Sequence, residues 1–144
     1  MIVKNGDLVR LAPGDAAVID ELPSGRMFKD GLILEDSKSR AVTERRRLSF
    51  AGCAFVALAV TMKGELVDDP AVDLIGIPEK NLKGEVMEDV VFDIVVNVVE
   101  NLPKARKRDP DAMAESVRRA VRSSLADQWG KKTMCYVHIL QVED

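Results

Sequence analysis

The chain has 144 residues, of which 47% are hydrophobic and 31% are charged, and its formal net charge is −3. This length and composition predict a soluble domain with an appendage, and no apolar run reaches the roughly 20 residues that a membrane helix requires. The N-terminus carries no basic and apolar segments of the secretory type, so we expect a cytoplasmic protein with no membrane partner.

Short extended segments joined by turns are predicted over residues 1–34. Turn signals occur at Asn5-Gly6-Asp7, Pro13-Gly14-Asp15 and Pro23-Ser24-Gly25, with short strands between them. Strands of this length bury little surface alone, and they are typical of the edge of a larger domain. The polar residues 35–47 then predict a linker or a solvated helical turn, and we place a domain boundary there.

Residues 48–144 are predicted to begin with strands. The apolar run over 48–62 is typical of a strand that is covered on both faces. A Lys-Gly turn follows it, so residues 65–67 are expected to pair back as a hairpin, and residues 72–77 form a further strand candidate.

Two helices and a final strand complete this prediction. Valines at four-residue spacing indicate a helix over 83–101, against the modest helix propensity of valine. Asp109-Pro110 begins a second helix, Gly130 ends it, and residues 134–142 alternate as a strand does. The expected fold class is α+β: a small mixed sheet of three to four strands with two helices on one face, preceded by short strands and a linker.

Metal-ligating and nucleophilic side chains are scarce. The chain has two cysteines, Cys53 and Cys135, and one histidine, His138, whereas a zinc site requires three or four suitably spaced ligands. We therefore predict no catalytic residue, no metal ligand and no cofactor in this segment, and we expect both cysteines to be buried free thiols. A small enzyme that uses one of the thiols or His138 is the alternative.

A basic segment covers residues 101–132, which contain nine Lys or Arg and four Asp or Glu, whereas the rest of the chain carries about −8. Such asymmetry is typical of contact with a phosphate backbone. The alternative is a solvated helix face with ordinary pairs such as Glu115 with Arg119. No aromatic residues are interleaved, so RNA contact would be electrostatic and non-specific. The candidate RNA-binding residues are Lys104, Arg106, Lys107, Arg108, Arg118, Arg119 and Arg122.

A second basic feature, the Arg45-Arg46-Arg47 run, either flanks a helical turn or contacts RNA or an acidic neighbouring domain. The strand over 48–62 is apolar on both faces, so a partner is expected to cover the face that the helices leave open, either a second copy or a catalytic domain. The candidate interface residues are Phe50, Phe55, Leu58, Tyr136 and His138.

Four segments lie in order along the chain: NGDLVRLAPG at 5–14, VIDELPSGR at 18–26 with DG at 30–31, RRRLSFAG at 45–52, and KKTM at 131–134. In this order and spacing they resemble segments of bacterial ribonuclease J, with most likeness to its proteobacterial branch. The first segment resembles the stretch after the family's last metal-site motif, and the second resembles its VPxGR…DG segment. The third resembles its RRxLSxxG lead-in to the C-terminal domain, and the fourth resembles the end of the family's chains. One departure is that Leu74-Ile75-Gly76-Ile77-Pro78 stands where an SRG-like segment is often found.

The resemblance implies a zinc-dependent nuclease of RNA processing and decay, with a metallo-β-lactamase fold, a β-CASP insertion and a C-terminal domain. The family's histidine-rich metal motifs are absent from this sequence, so no catalytic residue is carried over. Residues 1–34 would be the last strands of the catalytic core, 35–47 the linker, and 48–144 the C-terminal domain, which the family associates with oligomer formation and full activity.

The expected function is therefore that of a non-catalytic domain of a larger ribonuclease. It would form a homodimer, contact the catalytic domains of its own parent chain, and hold RNA. The alternative is a stand-alone RNA-binding or protein-interaction adaptor.

Overall fold

The computed structural model describes residues 1–143, and the chain divides into two compact units, residues 1–44 and the remainder from Arg45. The first unit holds two separate antiparallel strand pairs, β1 (Asp7–Arg10) with β2 (Ala17–Glu21) and β3 (Met27–Asp30) with β4 (Ile33–Asp36). None of residues 1–44 is buried. Two-stranded pairs have little stability by themselves, so this unit has no core of its own.

Helix α1 (Arg40–Ala51) agrees with the helical-turn alternative for residues 40–47 and replaces the start of the predicted strand. The prediction of a strand from residue 48 is therefore wrong for residues 48–51. The alternation of Leu48 and Phe50 imitates a strand, but the Glu and Arg residues before them favour a helix. The helix ends at Gly52, whose φ is +61° and whose N–H donates to the carbonyl of Leu48 at 2.8 Å.

The second unit is built on a three-stranded sheet in the order β6-β5-β7. The central strand β5 (Cys53–Thr61) pairs antiparallel with β6 (Ala71–Ile75) and parallel with β7 (Met134–Val142). The predicted hairpin strand at 65–67 is reduced to a single bridge between Val60 and Leu66, because the Asp-Asp-Pro sequence that follows cannot continue a ladder.

The helices of this unit are α2 (Met87–Asn101), a short α3 (Lys104–Lys107) and α4 (Pro110–Trp129). The Asp109 side chain caps α4 by accepting from two backbone N–H groups, and Gly130 ends it at a φ of 83°. Both ends of α4 are as the sequence predicts.

Helix α2 begins four residues later than the predicted start at 83. The side chain of Asn81 holds the preceding residues in a turn: its oxygen accepts from the backbone N–H groups of Lys83 and Glu85. Its amide nitrogen donates to Glu85 at 2.7 Å and to Gln128 of α4 at 2.8 Å. This turn ties the start of α2 to the end of α4.

One face of the sheet packs against α2 and α4, and the core lies between them. A mixed sheet with helices on one face confirms the predicted fold class. No helix within residues 1–143 is long and apolar enough to cross a membrane. The buried core residues are Ala54, Val56, Leu58, Val60, Met87, Val91, Val95, Val99, Met113, Val117, Val121, Leu125 and Cys135.

Candidate functional site

The potential metal ligands are dispersed. Cys53 and Cys135 are both buried and free, and their strand register places them on opposite faces of the sheet. Burial raises the pKa of both thiols, that of Cys135 to about 11. Within residues 1–143, no three His, Cys, Asp or Glu side chains lie close enough together to hold a metal ion. These donors do not fit a zinc site, so no chemical step through a metal is derived for this chain.

Four of the seven predicted RNA-binding residues are engaged within the fold. Arg118 and Arg119 both bind Glu115, and their hydrogen bonds, that of Arg119 foremost, lower the pKa of that carboxyl group. Arg106 donates to Ser116 at 3.2 Å, and the mostly buried Lys107 lies 3.6 Å from Glu65. The ordinary ion pairs of a solvated helix face thus account for much of this segment.

The other three predicted cations, Lys104, Arg108 and Arg122, are exposed. In the part of the chain that the structure describes, none of them forms an ion pair with a carboxylate. Lys104 begins α3, Arg108 follows it, and Arg122 lies on α4, where it lines one surface depression together with Arg119.

A cleft of about 690 Å³ opens between the end of α1 and the start of β7, and we call it the α1–β7 cleft. Its walls contain four cations and no carboxylate. Its lining residues are Arg47, Phe50, Ala51, Arg122, Gly130, Lys131, Lys132, Thr133, Met134, Cys135 and Tyr136. Of these cations, Arg122 is among the candidate RNA-binding residues predicted from the sequence, and Arg47 belongs to a basic run for which RNA contact is one alternative.

Lys131 connects the two walls of the cleft. Its ammonium donates to the carbonyl of Phe50 at 2.7 Å, although the two residues are 81 positions apart. The same nitrogen lies 4.4 Å from the centre of the Phe50 ring and 4.8 Å from that of Trp129. A cation at these distances from aromatic rings is attracted by their electrons, so Lys131 fixes the end of α1 against the loop before β7.

Three of the five predicted interface residues lie on the face of the sheet that the helices leave open. Phe55 and Tyr136 are neighbours in the parallel register and stack with ring centres 5.7 Å apart. His138 follows on the same face of β7. Phe50 lies instead on α1, beside the cleft. The side chain of Leu58 points to the opposite face and is buried beneath the helices. Leu58 therefore belongs to the core and cannot contact a partner on the open face.

The apolar character of this open face extends across all three strands. Ile75 of β6 and Leu140 of β7 are more than half exposed. Asp73 of β6 lies beside Phe55 in the antiparallel register. The open face therefore combines aliphatic and aromatic side chains with one acidic residue on one edge strand and one histidine on the other.

Comparison with known proteins gives one consistent family. Residues 40–142 match the family described as "Ribonuclease J C-terminal domain". A ribonuclease J of Sinorhizobium meliloti is 44% identical over 140 residues, which cover 97% of this chain and 25% of that protein. Ribonucleases J of Mycobacterium tuberculosis (28% identical, 99% and 25% covered) and Corynebacterium glutamicum (24% identical, 92% and 18% covered) are also similar.

The chain spans about a quarter or less of the length of these relatives. The family match covers most of the chain and includes α1 and every helix and strand of the second unit. The match also agrees with the segments that carry the resemblance, such as the Arg45–Gly52 lead-in, which here forms the second half of α1 and its terminating glycine. The chain belongs to the ribonuclease J family and corresponds to a C-terminal portion of a ribonuclease J.

Proposed function

We propose that the second unit is a non-catalytic self-association domain of a ribonuclease J, and that it binds a second copy through its open sheet face. The supporting observation is that helices cover only one face of the sheet. The other face carries Phe55, Ile75, Tyr136 and Leu140, all more than a third exposed. Contiguous apolar surface of this kind is typical of a protein–protein interface.

The positions of the polar residues on the open face favour a second copy as the occupant. A two-fold axis along β5 would place β6 of one copy opposite β7 of the other. Asp73 of β6 pairs with Phe55 of β5, and His138 of β7 pairs with Ala57, so the two side chains are offset by two residues along the strand direction. This packing therefore brings Asp73 of each copy near His138 of its partner. Both pairs form at once in such an isologous interface.

The size of the face sets the expected strength. Two strands of nine residues and one of five give a projected area of roughly 360 Å², less than half of the roughly 800 Å² per partner in a stable complex. We therefore expect a concentration-dependent equilibrium between monomer and dimer for this chain, which other contacts would strengthen in a longer parent.

Sedimentation equilibrium of the 144-residue chain tests this proposal. Leu140→Glu puts an unpaired charge into the apolar contact and is expected to weaken dimerisation at least tenfold. Because Leu140 is 65% exposed, the fold should tolerate the change. Leu82→Glu is the matched control, since Leu82 is fully exposed outside the sheet. A chain that remains monomeric at millimolar concentration, or equal effects of the two substitutions, would remove the proposal.

RNA contact is a second proposed function, favoured by the surplus of positive charge over residues 101–132 in a chain whose net charge is negative. The expected behaviour is binding of single-stranded RNA that weakens steeply as salt rises, because each neutralised phosphate releases counterions. Titration of the chain with a labelled RNA at several salt concentrations measures this. No binding at low salt would eliminate the function.

The first unit supports a third element of the proposal, which is docking on the catalytic part of the same parent chain. Its two strand pairs have no buried residue, and Ile2 and Leu32 are almost fully exposed. Such strands would be stabilised by completing a sheet of a larger domain. Zinc-dependent cleavage would then belong to that larger domain, since the donors of this chain do not fit a zinc site.

A further inference from the structure

We propose that the α1–β7 cleft binds one nucleotide unit of single-stranded RNA, with the base against the rings of Phe50 and Tyr136 and the phosphate among the surrounding cations. The inference rests on the proposed RNA contact and gives it a specific site. It also changes the expected mode of binding, because the sequence alone predicts purely electrostatic contact.

The charge of the cleft selects an anion. Arg47, Arg122 and Lys132 are exposed cations on its walls, and the lining contains no carboxylate. Within residues 1–143, neither Arg122 nor Lys132 forms an ion pair. By contrast, Arg118 and Arg119 on the same helix are both held by Glu115. The cleft therefore brings several uncompensated positive charges together, in a chain whose net charge is −3.

The aromatic side chains select a flat apolar group. Phe50 is 67% exposed, and the contacts of Lys131 with its carbonyl and its ring hold it in place. Tyr136 is 41% exposed and is held by its stacking on Phe55, with an angle of 19° between the rings. Rings that are already ordered lose little entropy when a base stacks on them.

Cations and exposed rings together distinguish a nucleotide from other anions. A free phosphate would use the cations and leave the rings in water, and an acidic peptide brings no flat π-surface to cover them. Single-strand binders combine a positive groove with aromatic platforms in this way. The volume of about 690 Å³ lies within the range of pockets that hold molecules of nucleotide size.

Fluorescence anisotropy of a labelled eight-nucleotide oligoadenylate, titrated with the 144-residue chain at several salt concentrations, tests the site. Phe50→Leu keeps an apolar side chain but removes the ring, so affinity should fall about fivefold or more while the salt slope stays unchanged. Lys132→Gln should also weaken binding and lower the salt slope by about 0.7, as expected for one lost phosphate contact on a single strand.

Lys83→Gln is the matched control, since Lys83 is an exposed cation that lies outside the basic segment 101–132 and does not line the cleft. It should change affinity less than twofold, and an abasic oligonucleotide should bind the unaltered chain as weakly as oligoadenylate binds the Phe50→Leu chain. Thermal melting of each variant checks that the fold is retained.

Two results would overturn the site and leave RNA contact in place. One is equal affinity for the abasic and adenylate oligomers. The other is an equal loss of affinity from Lys83→Gln and Lys132→Gln, which means diffuse charge attraction. If the chain binds no RNA at any salt concentration, the proposed RNA contact itself fails, and the site fails with it.

Discussion

Replacing Gly52 with alanine is expected to lower the free energy of unfolding by about 3 kcal/mol or more. Gly52 has a φ of +61°, a conformation that costs a residue with a Cβ atom roughly 1–2 kcal/mol. An added Cβ would also lie 2.4 Å from the carbonyl oxygen of Ile75 and 2.7 Å from that of Gly76. Both atoms are backbone and cannot rotate away, so the end of β6 must move, at a further cost of roughly 1–3 kcal/mol.

The matched control is Gly84→Ala. Gly84 has a nearly equal left-handed geometry, φ +82°, but an added Cβ there meets no atom within 4 Å. The control should therefore lose only the conformational part, about 1–2 kcal/mol. The difference between the two substitutions isolates the close approach of the α1–β5 junction to β6.

Urea denaturation, followed by circular dichroism and by the fluorescence of the single tryptophan, Trp129, measures both variants. A loss of 3 kcal/mol in a unit of about 100 residues also lowers the melting temperature by well over 10 °C. Equal losses for Gly52→Ala and Gly84→Ala would refute the reasoning from close packing. Because Gly52 ends the helix that carries Phe50, Gly52→Ala should also lower the affinity of the α1–β7 cleft for any ligand that it binds.

Two further predictions concern buried polar and titratable groups. Thr133 is fully buried, and its hydroxyl has no hydrogen-bond partner within residues 1–143. Thr133→Val should therefore raise the free energy of unfolding by about 1 kcal/mol. Thermal melting measures this, and a lower melting temperature would contradict it. The pKa of Cys135 is raised to about 11 from a usual 9.0, so the unfolded chain ionises first. Its contribution to stability is complete below pH 9 and should decline by about 2 kcal/mol as pH rises towards 11. Cys135→Ala should flatten this part of the stability profile, and an unchanged slope in that variant would assign the decline to other groups.

Local sequence signals predicted the elements that local chemistry determines. Asp109-Pro110 and Gly130 mark the two ends of α4, because a side-chain cap and a left-handed glycine act within one turn of the helix. The alternation of side chains over residues 134–142 predicted β7 with the same first and last residue as the structure, since one face of that strand is buried and the other is open. The end of helix α1, residues 48–51, was missed because its apolar residues 48 and 50 have the two-residue spacing of a strand.

The α1–β7 cleft could not be predicted in this way. The Arg45–Arg47 run and the Lys131-Lys132 pair are visible as separate basic features, but nothing local indicates that they meet. The parallel pairing of β5 with β7 brings them together, because it places the residues that precede each strand side by side. The same pairing also brings Tyr136 to the cations. Long-range register, which depends on packing of the whole unit, therefore decides the site.

The two surfaces proposed for this unit share Tyr136, and this has a thermodynamic consequence. Tyr136 stacks on Phe55 within the open sheet face and also lines the α1–β7 cleft. A second copy that covers the open face would bury part of the ring on which a base is proposed to stack. Linkage then requires that RNA binding weakens self-association by the same factor by which self-association weakens RNA binding. Phe50 lies on α1 and outside the sheet, so one of the two rings stays available in the dimer and the coupling is partial. A domain of this kind would therefore hold RNA more tightly as a monomer than as a dimer, because Tyr136 is fully available to a base only when no second copy covers it.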